Sequence, residues 1–174
     1  MVWVVVGLVM LAMTVVLVGG IGAALPRAHS VSRKAQFNRS QRDVWMTITD
    51  FGQQVTWRNE LRHVERLPNE GGFEVWRETD HRGQALTLET VESAPPRRLV
   101  RRITNNDLGF GGSWTLEVEE VGEITVVTVT EDGEVYNPFF RFVSRVIMGQ
   151  TATIESYLKA LSGKLGVDVT IMSG

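Results

Sequence analysis

Cysteine is missing from all 174 residues, which removes disulfides, thiolate nucleophiles and Cys-ligated metals from consideration. That absence suits a reducing compartment but does not exclude an oxidising one. Histidine is scarce. His29, His63 and His81 are the only three, and their separation lacks the spacing of a metal site; no metal or other cofactor is expected. No Gly-x-Ser-x-Gly elbow and no Walker glycine loop occurs. The glycine-rich stretch Gly109-Phe110-Gly111-Gly112 leads into a strand pattern rather than a helix, so it is not read as a phosphate cradle.

Charge is absent from the first 25 residues. Val, Leu, Met, Ile, Ala and Gly fill them, with Trp3 near the start. As a helix the stretch would extend about 37 Å, enough to cross a hydrocarbon core of about 30 Å with some tilt. Pro26 and Arg27 end it. A cleaved secretory signal usually carries a positive n-region and a shorter apolar core. Residues 1–25 therefore read as a retained transmembrane helix, although the small residues from Gly19 to Ala24 resemble a cleavage region. Arg27, Arg33, Lys34, Arg39 and Arg42 follow the span and nothing basic precedes it. The positive-inside rule then puts the soluble domain in the cytoplasm.

After residue 25 lie all 18 Lys and Arg and all 20 Asp and Glu, a net charge of −2. Such balance offers nucleic acid no general attraction, and no nucleic-acid partner is expected. Residues 26–32 read as a linker, 33–163 as one domain, and 164–174 as a flexible tail. Arg33–Asn38 has a strand pattern. Ser40 is a favourable N-cap for a helix over Gln41–Thr49, with Asp43 at its third position; a break and a short helical turn carrying Trp57 follow. Six strands are then expected at Leu61–Leu67, Phe73–Thr79, Gln84–Glu92, Arg97–Thr104, Gly111–Glu119 and Ile124–Glu131. Their connections are too short for parallel crossovers, so the sheet of about seven strands is antiparallel. Asn137-Pro138 opens a long helix. Its apolar stripe includes Val146, Ile147, Ile154, Leu158 and Leu161, and Gly163 is expected to end it. The fold class is α+β: a curved sheet around a long C-terminal helix, plus one N-terminal transmembrane helix.

With its residues in that order, the chain resembles the START-like superfamily, also called SRPBCC, in its polyketide cyclase/dehydrase-like branch. The resemblance rests on SQRDVWMTITDFGQQVTWR, ESAPPRRLVRRI, GFGGSWTLEVE, TEDGEVYNPFFRFVSRVIMG and TIESYLKAL, from about Arg33 to Leu161. It implies a helix-grip fold with a cavity beneath the C-terminal helix that takes an apolar or amphipathic molecule. The N-terminal anchor is not part of the common domain.

On that basis the expected partner is a hydrophobic small molecule or lipid, lined by Trp57, Trp76, Phe110, Trp114, Phe139, Phe142 and Met148, with the membrane engaged through the N-terminal helix. Aromatic side chains dominate apolar pockets; Trp45 is instead expected in the core. Gly149 in mid-helix suggests close packing or room for a ligand. No catalytic residue is assigned. A cyclase or dehydratase would need a convergent acid/base pair, for which Glu131, Tyr136 and Glu89 are the candidates, and a ligand-free interaction domain at the membrane is the third reading. Glu131 and Arg141 are expected to form a structural ion pair that docks the helix. Glu78/Asp80 and Glu117/Glu119 are expected on solvent faces. Arg97, Arg98, Arg101 and Arg102 are expected along a solvated strand with carboxylate partners across it; contact with anionic headgroups is the alternative.

Overall fold

The computed structural model of the protein describes residues 2–69, 72–143 and 151–174. It begins with helix α1 (Val2–Ala24), whose apolar side chains are outside the rest of the protein and whose mean hydropathy reaches 2.7. By length and composition this helix is able to cross a membrane.

Strand β1 (Ala28–Phe37) starts almost at once, inside the stretch read as a linker. The N-cap reading holds at α2 (Gln41–Thr49): the Ser40 hydroxyl accepts the Asp43 amide at 3.1 Å. After a 3-10 turn at Phe51–Thr56 come β2 (Leu61–Leu67), β3 (Val75–Asp80), β4 (Ala85–Ala94), β5 (Arg98–Ile103), β6 (Phe110–Val121) and β7 (Ile124–Val135). Helices α3 (Pro138–Val143) and α4 (Ala152–Leu165) are followed by β8 (Ile171–Ser173). Val146, Ile147, Met148 and Gly149 lie outside the described residues.

The sheet runs β2-β3-β4-β5-β6-β7-β1-β8 and every neighbouring pair is antiparallel. Two expectations change at the C-terminus. Gly163 does not stop α4; the helix continues to Leu165 and ends on Gly166, whose φ of +64° suits glycine. Beyond it the chain adds β8 to the edge at β1 instead of trailing as a tail, which makes eight strands.

Helix α4 buries Ile154, Tyr157, Leu158 and Leu161, a stripe at i, i+3, i+4 and i+7. Beneath it and α2 lie Ala35, Phe37, Leu99, Leu116, Val118, Val127 and Val129, with Trp45 in the same core as expected. The sheet therefore has an inner face closed by helices and an outer face open to solvent. Leu116 and Val118 point inward, and Glu117 points outward to Arg98 at 2.6 Å, as alternation requires.

Candidate ligand-binding site

Registers across four strand pairs set the inner face. Thr90 of β4, Arg101 of β5, Trp114 of β6, Glu131 of β7 and Val31 of β1 stand opposite one another in one row. Directly opposed residues share a face, so this row faces α4. Within it Arg101 is buried, although a solvated position was expected, and so is Glu78 on β3. Both depart from expectation for the same reason: Arg101 shares its strand face with buried Leu99, and Glu78 shares its face with Trp76.

Glu78 is held between two guanidinium groups. Arg101 Nη1 donates to its Oε1 at 2.7 Å and Arg58 Nη1 to its Oε2 at 2.8 Å. Burial alone would raise the Glu78 pKa, but Arg58 and Arg101 outweigh it and hold the carboxyl below its ordinary value. Burial likewise opposes charge on Arg58, and the carboxylates of Glu78 and Glu60 overcome it. For Arg101 burial wins and the pKa falls below the ordinary guanidinium value, yet a guanidinium stays charged at any pH at which a protein is folded.

Three buried polar atoms beside this pair have no partner among the described residues: Arg101 Nε, Arg101 Nη2 and Thr90 Oγ1. Nε and Nη2 form one edge of the guanidinium, a fork that matches two oxygens of a carboxylate or phosphate. The Phe51 ring covers the guanidinium carbon at 4.0 Å. An unfilled fork in low-dielectric surroundings costs free energy until an acceptor arrives.

Aromatic side chains adjoin the charged group. Tyr157 projects from α4 between Trp57 and Trp114, with ring centroids 5.7 and 5.6 Å away. Burial raises the Tyr157 pKa, which keeps its hydroxyl protonated. Trp76 packs on Phe51 at 5.9 Å and donates to Glu74 at 2.9 Å. Of the residues expected to line the cavity, Trp57, Trp76 and Trp114 thus gather around this group. Phe139 is placed elsewhere, in α3, where its ring meets Gly19 of α1. Phe142 also belongs to α3, and Phe110 begins β6.

The catalytic candidates do not converge. Glu89 pairs with Arg102 at 3.0 Å, and Tyr136 is half exposed beside Gly111. Glu131 does face inward; Trp114 Nε1 donates to it at 2.9 Å, and His29 Nε2 lies 3.4 Å from its other oxygen. Gly133 leaves the space that the His29 ring occupies. The expected Glu131–Arg141 ion pair is not formed. Arg141 turns instead to backbone carbonyls: Nε donates to Val135 at 3.0 Å, Nη2 to Tyr136 at 3.0 Å, and Nη1 to Gly22 at 3.0 Å and Leu25 at 3.1 Å. The helix geometry explains the choice. The Gly22 carbonyl would ordinarily receive the amide four residues on, and that residue is Pro26, which has none.

Tyr157, Arg58 and Thr90 were not singled out from the sequence. Tyr157 was detectable, because it falls three residues after Ile154 and four before Leu161. A cleft of about 660 Å³ is bordered by His29, Ser30, Arg102, Asn105, Asp132 and Tyr136. Its rim is polar, and His29 links it to Glu131 of the Arg101 row. Among the described residues no cluster of His, Asp or Glu is arranged to hold a metal.

A curved antiparallel sheet gripping a C-terminal helix is the START-like architecture. The family model for polyketide cyclase/dehydrase and lipid transport matches residues 28–165, and the chain belongs to that family. No curated protein matches the sequence. Among solved structures, a START superfamily protein from Mycobacterium smegmatis is 18% identical with a TM-score of 0.63, covering 79% of this chain and 97% of that one. The Zhui aromatase/cyclase from Streptomyces sp. R1128 is 14% identical with a TM-score of 0.64, covering 80% and 94%. Norcoclaurine synthase from Thalictrum flavum is 14% identical with a TM-score of 0.62, covering 79% and 86%. At such identities the likeness is one of fold.

Proposed function

We propose that this protein is a membrane-anchored binding module that holds an amphipathic molecule between sheet and C-terminal helix. The observation that carries this reading is the Arg101 fork, buried beside Thr90 with no acceptor among the described residues. Carboxylate or phosphate oxygens would complete the fork, and Trp57, Trp76, Trp114 and Tyr157 would contact the apolar part. Helix α1 would keep the domain close to a lipid-soluble ligand and so raise its effective concentration. Its retention is supported by the Arg141 bond to Gly22, which cleavage near Ala24 would break. The basic residues after the span favour the cytoplasmic side for the domain.

Titration of the full-length protein in detergent micelles with a dansyl-labelled fatty acid tests the reading. Wild type is expected to bind saturably. Thr90→Val should leave stability near wild type, because the hydroxyl has no partner to lose, and Arg101→Lys, which keeps the charge but removes the fork, should weaken binding about tenfold or more. Equal affinity in wild type and both variants would refute the assignment of the fork.

A second reading, an enzyme of the cyclase or dehydratase kind, is supported by the His29–Glu131 contact on the inner face. This pair sets an imidazole against a carboxylate, an arrangement that general acid–base chemistry can use. The first reading is preferred because Glu89 and Tyr136 do not join it.

A further inference from the structure

The described part of helix α3 has the sequence Pro138-Phe139-Phe140-Arg141-Phe142-Val143. Phe139 is 43% exposed and Phe140 62%. The segment from Tyr136 to Val143 has no carboxylate. Its single charged side chain, Arg141, is 4% exposed and turned inward to carbonyl oxygens. The surface left outward is aromatic and uncharged.

Contacts with α1 fix the level of that surface. Phe139 lies against Gly19, a Cβ at Gly22 would collide with the Pro138 carbonyl, and Arg141 reaches Gly22 and Leu25. Gly19 precedes Leu25 by six residues, which is about 9 Å along a helix. Phe139 therefore sits well inside the length of the apolar segment, not beyond its end. A Cβ placed on Gly109, just before β6, would meet the Phe140 ring at 3.8 Å, so the open end of the β6–β7 hairpin, where Phe110 pairs with Val135, stands at a similar level.

We propose that α3 is an interfacial membrane element: Phe139 and Phe140 enter the boundary between headgroups and acyl chains beside α1, and the open end of the β6–β7 hairpin rests on the bilayer. The partner is a lipid surface. Exposed aromatic side chains on a segment that itself carries no carboxylate suit that boundary, and α3 continues the apolar surface of α1. The proposal rests on the reading that α1 spans the bilayer. Its consequence is a fixed orientation: the domain is docked with one end toward the lipid, not suspended on a loose tether.

The chain has no cysteine, so single-cysteine variants report cleanly. Full-length Phe140→Cys, Glu123→Cys and Leu11→Cys proteins would each carry an environment-sensitive fluorophore in phosphatidylcholine–phosphatidylglycerol vesicles. Nitroxide-bearing lipids serve as quenchers. Glu123 lies in the turn at the far end of the hairpin, about 36 Å along the strands from Phe110. The label at 140 is expected to shift to the blue and lose most of its emission to quenchers placed near the headgroups, while the label at 123 stays unquenched. Quenching at 11 with none at 140 would overturn the α3 proposal and leave the anchor standing. Absence of quenching at 11 would overturn the anchor, and the proposal with it.

Discussion

Glu78→Gln is expected to destabilise the domain by about 3–5 kcal/mol, because it leaves the buried Arg101 guanidinium without a carboxylate and takes one of two carboxylates from Arg58. Glu78 is 4% exposed and accepts from both Arg58 and Arg101. Thermal unfolding of the full-length protein in micelles, followed by tryptophan fluorescence, reads the loss directly. The companion variant Arg58→Met/Glu78→Leu/Arg101→Met should lie much closer to wild type, since removing a whole buried ionic group avoids leaving any one charge unpaired. A Glu78→Gln protein within about 0.5 kcal/mol of wild type would contradict the burial and pairing described here.

The same group sets an acid dependence. Glu78 has a lower pKa in the folded chain than the ordinary 4.5. The unfolded state therefore binds the proton more readily, and stability rises with pH through that range. The contribution is complete above the ordinary carboxylate value and is lost as pH falls through the lowered native one. Glu78→Gln should lack this part of the acid limb.

Arg141→Met is expected to cost about 2–4 kcal/mol by leaving carbonyl oxygens of β7 and α1 without their donor. It should also free α1 from the domain. Spin labels at Leu11→Cys and Glu123→Cys would report a narrow distance distribution in wild type and a broad one in Arg141→Met. Gly22→Leu should broaden the distribution by another route, through the clash of its Cβ with the Pro138 carbonyl. A narrow distribution in both variants would show that α1 is held by something other than this clamp.

Much of the fold was legible in sequence because turns and caps are local. Ser40 announced α2, Asn137-Pro138 announced α3, and the strand β2 falls on the expected Leu61–Leu67. Strand β8 was not legible, because its pairing with Arg33, Lys34 and Ala35 of β1 is long-range. The site was only half legible. Trp76 and Trp114 were placed as lining residues from their chemistry, but Glu78 was placed in solvent although it shares a strand face with Trp76. A carboxylate is expected outside by default, and only the guanidinium groups of Arg58 and Arg101, 20 and 23 residues away in the chain, make its burial tolerable. Arg101 was hidden by symmetry: Arg97-Arg98-Leu99-Val100-Arg101-Arg102 offers an apolar residue on each face, and alternation alone does not choose between Leu99 and Val100. The Arg141 clamp was hidden for another reason. It depends on a carbonyl freed by Pro26, more than a hundred residues earlier.

The most direct test of a ligand beneath the C-terminal helix is native mass spectrometry of the full-length protein extracted from membranes in mild detergent. The account predicts a bound amphiphile with an anionic head, at up to one per chain, displaced by added fatty acid and depleted in Arg101→Lys. A bare protein mass that stays unchanged when fatty acid is added would contradict it.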